Sequence, residues 1–527
     1  MDTITSSANR QIARAAGTVM VAFVLSNLTG LIRQVLVSRA FGTGAQIDAF
    51  NAAARLPDLL FSLVAGGALA SAFIPTFTGF ISQGKHRTAW RLASSIANLI
   101  VIVLIITSAA AMLLAPQIVR DVLYVLVPNL DPTQSALTVA LLRILLLSPV
   151  IFGISGLLMG VLNAHQMFLL PALAPTMYWM GWIFGVLVLV PQWGIYGLAW
   201  GAVIGSGLHL IVQLPALPRL KARYTPTLGL DDPATREVGR LMAPRVLGVA
   251  VVQLNFVVNT ILALAQPQGS QTAIQVAWMI MTMPQVVIAQ AIAIAALPTF
   301  STQVAAGRLE DMRSSLASTL RAVILLSLPA TLGLILLRYP IISFFLQHGE
   351  FDAHSTELVA WALLWYAVGL VGHSVVEVMA RAFYALHDTK TPVLVGVFAM
   401  TLNLLFSVAF TALFNQVGLA PHGGLALANS LATALEMGGL LVLMRRRLNG
   451  LNGKKILAGA GQAGIATLAM SLGLWFWLLQ TGDNAVGLVM GLGVILGAGI
   501  YGLSTLVLGV KEARGAAALL YRRLLGV

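Results

Sequence analysis

Apolar segments of about twenty residues recur along this chain from one end to the other, and each can cross ~30 Å of hydrocarbon as a helix. Inside lipid only helices and closed barrels satisfy every backbone polar group, and uninterrupted apolar runs of this length select the helix. Over 527 residues the chain is 58% hydrophobic and only 9% charged, where a soluble domain carries roughly 25% charged residues. The sequence therefore predicts an all-α polytopic membrane protein. Fourteen spans are expected, near 12–41, 48–83, 88–114, 133–163, 168–190, 194–217, 236–265, 271–304, 312–337, 354–386, 391–414, 421–445, 455–480 and 484–510. Several exceed the hydrocarbon thickness, which predicts tilt or extension into the cytosol.

The polar opening "MDTITSSANRQ" leads into no short apolar region with a small-residue cleavage site, so no cleaved signal peptide is expected. The absence of cysteine excludes disulfides and thiolate metal sites. The net charge of +13 is distributed by topology. Lys85, Arg87 and Arg91, then Arg219, Lys221 and Arg223, then Arg445, Arg446, Arg447, Lys454 and Lys455, then Lys511, Arg514, Arg522 and Arg523 fall in even-numbered connections or at the end. Arg120 and Arg338 are the clear exceptions. This is the positive-inside bias, and it places both termini in the cytosol. A nucleic-acid binder would gather its cations on one soluble domain with interleaved aromatics.

Sequence pairs recur at offsets of 221 to 224 residues: "AFIPTF" at Pro75 and "AALPTF" at Pro298, Pro116 and Pro340, Asp131 and Asp352, His165 and His387, Pro171 and Pro392. "GLAWGAVIGSG" from Gly197 and "GLALANSLATA" from Gly424 follow at a slightly longer offset. The expected organisation is a six-helix bundle in 1–222, a second in 223–448, and two extra helices with a basic tail in 449–527. Six is even, so both bundles insert in the same orientation, as in parallel-repeat transporters that rock around a central site.

Ionisable side chains within spans are costly and normally face a cavity or a partner. The first span carries Ser26, Asn27, Gly30, Arg33 and Arg39; the second carries Asp48, Arg55 and Asp58 around Pro57, then Gly66 and Gly67. Arg33 and Arg55 suit an anionic group, because guanidinium binds phosphate in bidentate fashion. Pro57 removes a backbone hydrogen bond and the glycines soften the helix, which makes these positions candidates for gating. Arg143 lies within the fourth span and reads equally as a binding or a structural residue. His373, Glu377 and Arg381 fall at i, i+4 and i+8 on one helix face, as a relay or an ion pair. Asp388, in "HDTKTP", is positioned to cap the next helix. Glu436 stands alone in an apolar run and needs a partner or a proton. Gln253, Asn255, Asn259 and Thr260 read as interhelical hydrogen-bonding groups, and Met279, Met281 and Met283 as packing. No phosphate-binding G-x-x-x-x-G-K-[ST] loop and no metal-spaced His pair occurs, so neither an ATP-driven machine nor a metalloenzyme is expected.

The stretches "GLIRQVLVSRAFGTGAQIDAFNAAARLPDLL", "NAHQMFLLPALAPTMYW", "APRVLGVAVVQLNFVVNT", "FFLQHGEFDAHSTELVAWALLWYAVGL" and "FYALHDTKTPVLVG" resemble the MurJ (MviN) family over almost the whole chain. These are the lipid II flippases of bacterial peptidoglycan synthesis, within the multidrug/oligosaccharidyl-lipid/polysaccharide exporter superfamily. The resemblance implies a transporter rather than an enzyme, of fourteen helices, in the bacterial cytoplasmic membrane. It implies alternating access, a cationic cavity for an undecaprenyl-pyrophosphate-linked sugar–peptide, and a tail groove beside the last two helices. It implies no cofactor; membrane potential or a cation would reset the carrier, and cell-wall synthesis proteins are the expected partners. Ser26, Gly30, Arg33, Asp48, Pro57 and Pro284 align with family motif positions. Polar family positions fall on Asn27, Gln34, Asp58, Phe61, Met279 and Thr282, so an exporter of another polyprenyl-linked glycan or amphiphile, or a non-transporting membrane partner, are the alternatives.

Overall fold

The computed structural model describes residues 22, 24–64, 68–128, 130–481, 485–510 and 512–514, and the described residues contain helices and no strand. Gly66 and Gly67 lie outside them. The chain divides into two compact units, Met1–Gln268 and Gly269–Val527.

The first unit contains α1 (24–41), α2 (Ala45–Val64), α3 (Ala68–Ser82), α4 (His86–Leu113), α5 (Pro132–Ala164), α6 (Leu169–Trp193), α7 (Ile195–Arg219) and α8 (Pro233–Leu264). Gly42, with a φ of 56°, turns α1 into α2. α8 packs against α2 and α3, so this helix sits with the first unit. One core gathers Phe50, Leu141, Leu142, Leu146, Trp182 and Leu198. A second gathers Phe73, Phe77, Trp90, Leu92, Leu104 and Val238.

α6 and α7 meet backbone to backbone. Gly181 and Gly185 on one helix face Gly197, Gly201 and Gly205 on the other. A Cβ on Gly201 would lie 2.7 Å from the Gly185 Cα, and one on Gly185 would lie 2.6 Å from the Gly201 Cα. Small residues four apart let membrane helices approach in this way, and dispersion contacts along the seam replace the missing hydrophobic drive. A π-helical turn, Gly185–Leu189, interrupts α6 beside the seam.

The second unit contains α9 (Ser270–Ala305), α10 (Leu309–Leu336), α11 (Arg338–Leu346), α12 (Ala353–Val368), α13 (Leu370–Ala385), α14 (Lys390–Gln416), α15 (His422–Arg447), α16 (Gly453–Thr481) and α17 (Val486–Val507). α12 and α13 are together long and apolar enough for one span, with a bend of 47° between them. The core holds Phe300, Met312, Leu316, Met379, Phe383 and Met444. α16 and α17 pack on each other and on α10, where the Tyr501 hydroxyl donates to the Leu325 carbonyl. α4 and α10 are both 28 residues long, and each follows a glycine with a φ of 70°, Gly84 and Gly307.

Among the described residues ten spans are long and apolar enough to cross a membrane, and the bent α12–α13 pair makes an eleventh. The expected count of fourteen is thus not reached on length and composition. α1 carries Arg33 and Arg39, α2 carries Asp48, Arg55 and Asp58, and in α8 the described apolar stretch is confined to Val252–Leu264.

Candidate functional site

Of the expected site residues on α1 and α2, Gly30, Arg33 and Asp58 lie by an aromatic cluster on α6, and Arg55 lies by Asp58. The Arg33 guanidinium lies over the indole of Trp179, 4.5 Å from Cζ to the ring centroid, and over that of Trp182 at 4.9 Å. Its Nη2 donates to Gln34 Oε1 at 3.0 Å, and Gln34 Nε2 donates to Ser38 Oγ at 3.2 Å. The Arg33 Nε is buried without a hydrogen-bond partner, and among the described residues no carboxylate lies within ion-pairing distance of it. Gly30, one turn before Arg33, has room for a Cβ only in contact with Trp179, at 3.4 Å from Nε1.

Tyr178 completes the cluster, with its ring 4.8 Å from Trp179 and 6.0 Å from Trp182. It lies within electrostatic reach of both Asp58 and Arg33, while Asp58 interacts with Arg55. The shelf is fixed from behind. Trp182 meets Phe50 edge to face at 5.3 Å, Tyr178 meets Phe152 at 5.0 Å, and the glycine seam seats the Tyr178 backbone directly on Gly205. Asp48 and Ser26 are buried, and Pro57 is buried inside α2.

Sequence reasoning passed over Tyr178, Trp179 and Trp182. The available signal was "YWMGW", three amphipathic aromatics around Gly181 within a span, where rings of this kind usually mark a membrane interface.

Arg143 is placed elsewhere. Its Nε donates to the Met112 carbonyl at 3.2 Å, occupying one of the last carbonyls of α4. The α13 stripe divides in two. Arg381 Nη2 bonds Glu377 Oε1 at 2.6 Å, whereas His373 Nε2 turns to Asn429 at 3.1 Å, with Trp278 edge-on at 5.3 Å. Asp388 accepts from the Thr391 amide at 3.0 Å and from its hydroxyl at 2.8 Å, which caps the start of α14. These bonds, the amide above all, hold its carboxyl below the ordinary range. His387 before it ends α13 at a φ of 59°, as Gln166 ends α5 at 58°. The Thr282 hydroxyl is satisfied within α9, donating to the Met279 backbone carbonyl at 2.9 Å, and the Phe61 ring lies tilted against Phe152 at 4.7 Å.

A chain of apolar helices with a guanidinium seated on aromatic rings within a span is a polytopic membrane protein, and its backbone has a known fold. It matches a solved structure of the lipid II flippase MurJ in an inward closed conformation with a TM-score of 0.79 at 22% identity, covering 96% of this chain and 99% of that one. It also matches an inward-facing multidrug resistance MATE family transporter of the MOP superfamily, with a TM-score of 0.67 at 15% identity over 81% of this chain and 96% of that one. These likenesses fix the fold. The chain belongs to the lipid II flippase MurJ family, whose sequence model matches residues 37–494. It is 32% identical over 433 residues to the lipid II flippase MurJ of Burkholderia cenocepacia, covering 80% of this chain and 83% of that protein. Membership in this family of transporters places the protein in the bacterial inner membrane.

Proposed function

We propose that this chain is a lipid II flippase that moves the pyrophosphate–sugar head from the cytosolic to the outer leaflet by alternating access. The observation that carries the reading is Arg33, a cation inside the span with indole faces beneath it and, among the described residues, no carboxylate within ion-pairing distance. Stacking occupies the faces of the guanidinium and leaves its edge N–H groups for the paired oxygens of a pyrophosphate. The undecaprenyl tail can remain in lipid throughout, so only the polar head needs shelter. The six-helix repeats of 1–222 and 223–448, with 449–527 after them in the chain, are the moving parts in this reading, save that α8 packs on α2 and α3 and moves with the first unit. The lysine and arginine distribution supports cytosolic termini. Arg55, Asp58, Ser26 and Asn27 would line the same site. Membrane potential, worth ~2.3 kcal/mol per charge per 100 mV, would bias the return step. Cell-wall synthesis proteins are the partners that would consume the product.

A second reading, an exporter of another polyprenyl-linked glycan, is favoured by one observation: Phe61 packs on Phe152 and the Thr282 hydroxyl is taken up by a local backbone carbonyl, where the resembled family has polar groups. Reconstituted transport separates the two. Proteoliposomes holding the full chain should translocate lipid II, with Arg33→Ala losing most of the rate. Movement of a polyprenyl-linked glycan without any movement of lipid II would select the second reading.

A further inference from the structure

Glu436 lies on α15 with Arg445 to Arg447 at the end of the same helix, about two and a half turns on, which sets its carboxyl deep in the span. It borders a recess of about 280 Å³ in the second unit, whose other walls are Leu394, Val395, Phe398, Ala399, Leu435 and Gly439. Leu394, Phe398 and Leu435 are exposed apolar side chains of the kind that face lipid. Gly396 on α14 leaves room beside the carboxyl, since a Cβ there would touch Glu436 Oε1 at 3.4 Å.

Among the described residues Glu436 makes no hydrogen bond or ion pair. The titratable groups on the helices packed against α15 are committed or distant. On α13, Arg381 bonds Glu377 and His373 bonds Asn429. On α12, His354 and Glu357 belong to the first turns; on α14, Lys390 opens the helix. The Ser270–Gln285 part of α9 carries no acid or base. On α15 itself, His422 bonds the Leu358 carbonyl.

An ionised carboxylate without a cation in such surroundings costs several kcal/mol, and the cheaper state is the neutral acid. We propose that Glu436 is an intramembrane proton-binding site, occupied by a proton at neutral pH and open on one side to hydrophobic reagents through the recess. The site stands independently of which head group the protein moves.

A hydrophobic carbodiimide, N,N′-dicyclohexylcarbodiimide, tests it. The reagent takes the carboxyl proton on one nitrogen while the carboxylate oxygen adds to its central carbon; the acyl group then migrates to nitrogen, and nothing leaves. Only the protonated acid reacts in this way, and the adduct carries the whole reagent mass. The full chain in liposomes is labelled at pH 5, 7 and 9 and mapped by peptide mass spectrometry. The expected result is an adduct on Glu436 at pH 7, at least half that at pH 5, reduced at pH 9 and absent in Glu436→Gln. Glu436→Asp, which keeps the acid, should retain the adduct. Labelling at pH 5 that has vanished by pH 7, or no Glu436 adduct at any pH in a protein with wild-type melting, overturns the proposal.

Discussion

The Arg33 guanidinium rests on Trp179, 4.5 Å from Cζ to the ring centroid, and this pairing joins α1 to α6 within the first unit. A desolvated cation–π contact is worth ~2 kcal/mol. Trp179→Leu should therefore weaken lipid II binding by about ten- to thirtyfold while the protein still folds. Trp179→Phe, which keeps a π face, should recover much of the loss. Arg33→Lys should stay weak, because an ammonium cannot stack and fork at once. Binding titrations on the purified protein across the three variants check the pattern.

The seam between α6 and α7 sets a different expectation. In Gly201→Ala the new methyl meets the Gly185 backbone at 2.7 Å, and backbone cannot step aside as a side chain can. Overpacking of this kind costs ~1–3 kcal/mol, so the melting temperature should fall by several degrees. Gly207→Ala, where nothing lies within 4 Å of the new Cβ, should leave melting unchanged or raise it slightly. A parallel melt of the two variants checks this.

Asp388→Ala removes the cap of α14 and should cost about 1 kcal/mol of stability, with transport changed little. The Thr391 amide and hydroxyl hold the folded-state carboxyl below its unfolded value. The contribution is thus fully present above the ordinary Asp value and is lost as pH falls through the lower folded value. The difference in melting between wild type and Asp388→Ala should be constant at neutral pH and shrink in strong acid.

Arg143 and Arg33 should separate cleanly. Arg143→Met loses the bond to the Met112 carbonyl and should lower stability with transport per folded molecule intact. Arg33→Ala should lose transport per folded molecule, on top of the ~2 kcal/mol of stability that goes with its aromatic contact. Melting curves and reconstituted transport on both variants check the contrast.

The helical membrane fold was legible because each apolar run is its own local signal. Arg33, Asp48, Arg55 and Asp58 stand out in the sequence because charge inside a span is conspicuous, although sequence alone does not say which of them share a site. The aromatic shelf was hidden, since Trp179 looks like any interfacial ring until α6 is laid beside α1. His373 was read with Glu377 and Arg381 because one helix face holds all three, yet its partner Asn429 is on another helix, which spacing along α13 cannot show. Asp388 was readable as a cap because its partner Thr391 is three residues away. Fourteen spans are not confirmed by length and composition, because the described parts of α1, α2 and α8 carry charge or a short apolar stretch, and 12–21 and 65–67 lie outside the described residues.

The most direct measurement of the central claim is lipid II exposure at the outer surface of bacteria depleted of their own flippase and expressing this chain. Exposure should return with the wild-type protein and fail with Arg33→Ala at equal membrane abundance. No return of exposure with the wild-type protein correctly inserted would contradict lipid II transport by this chain.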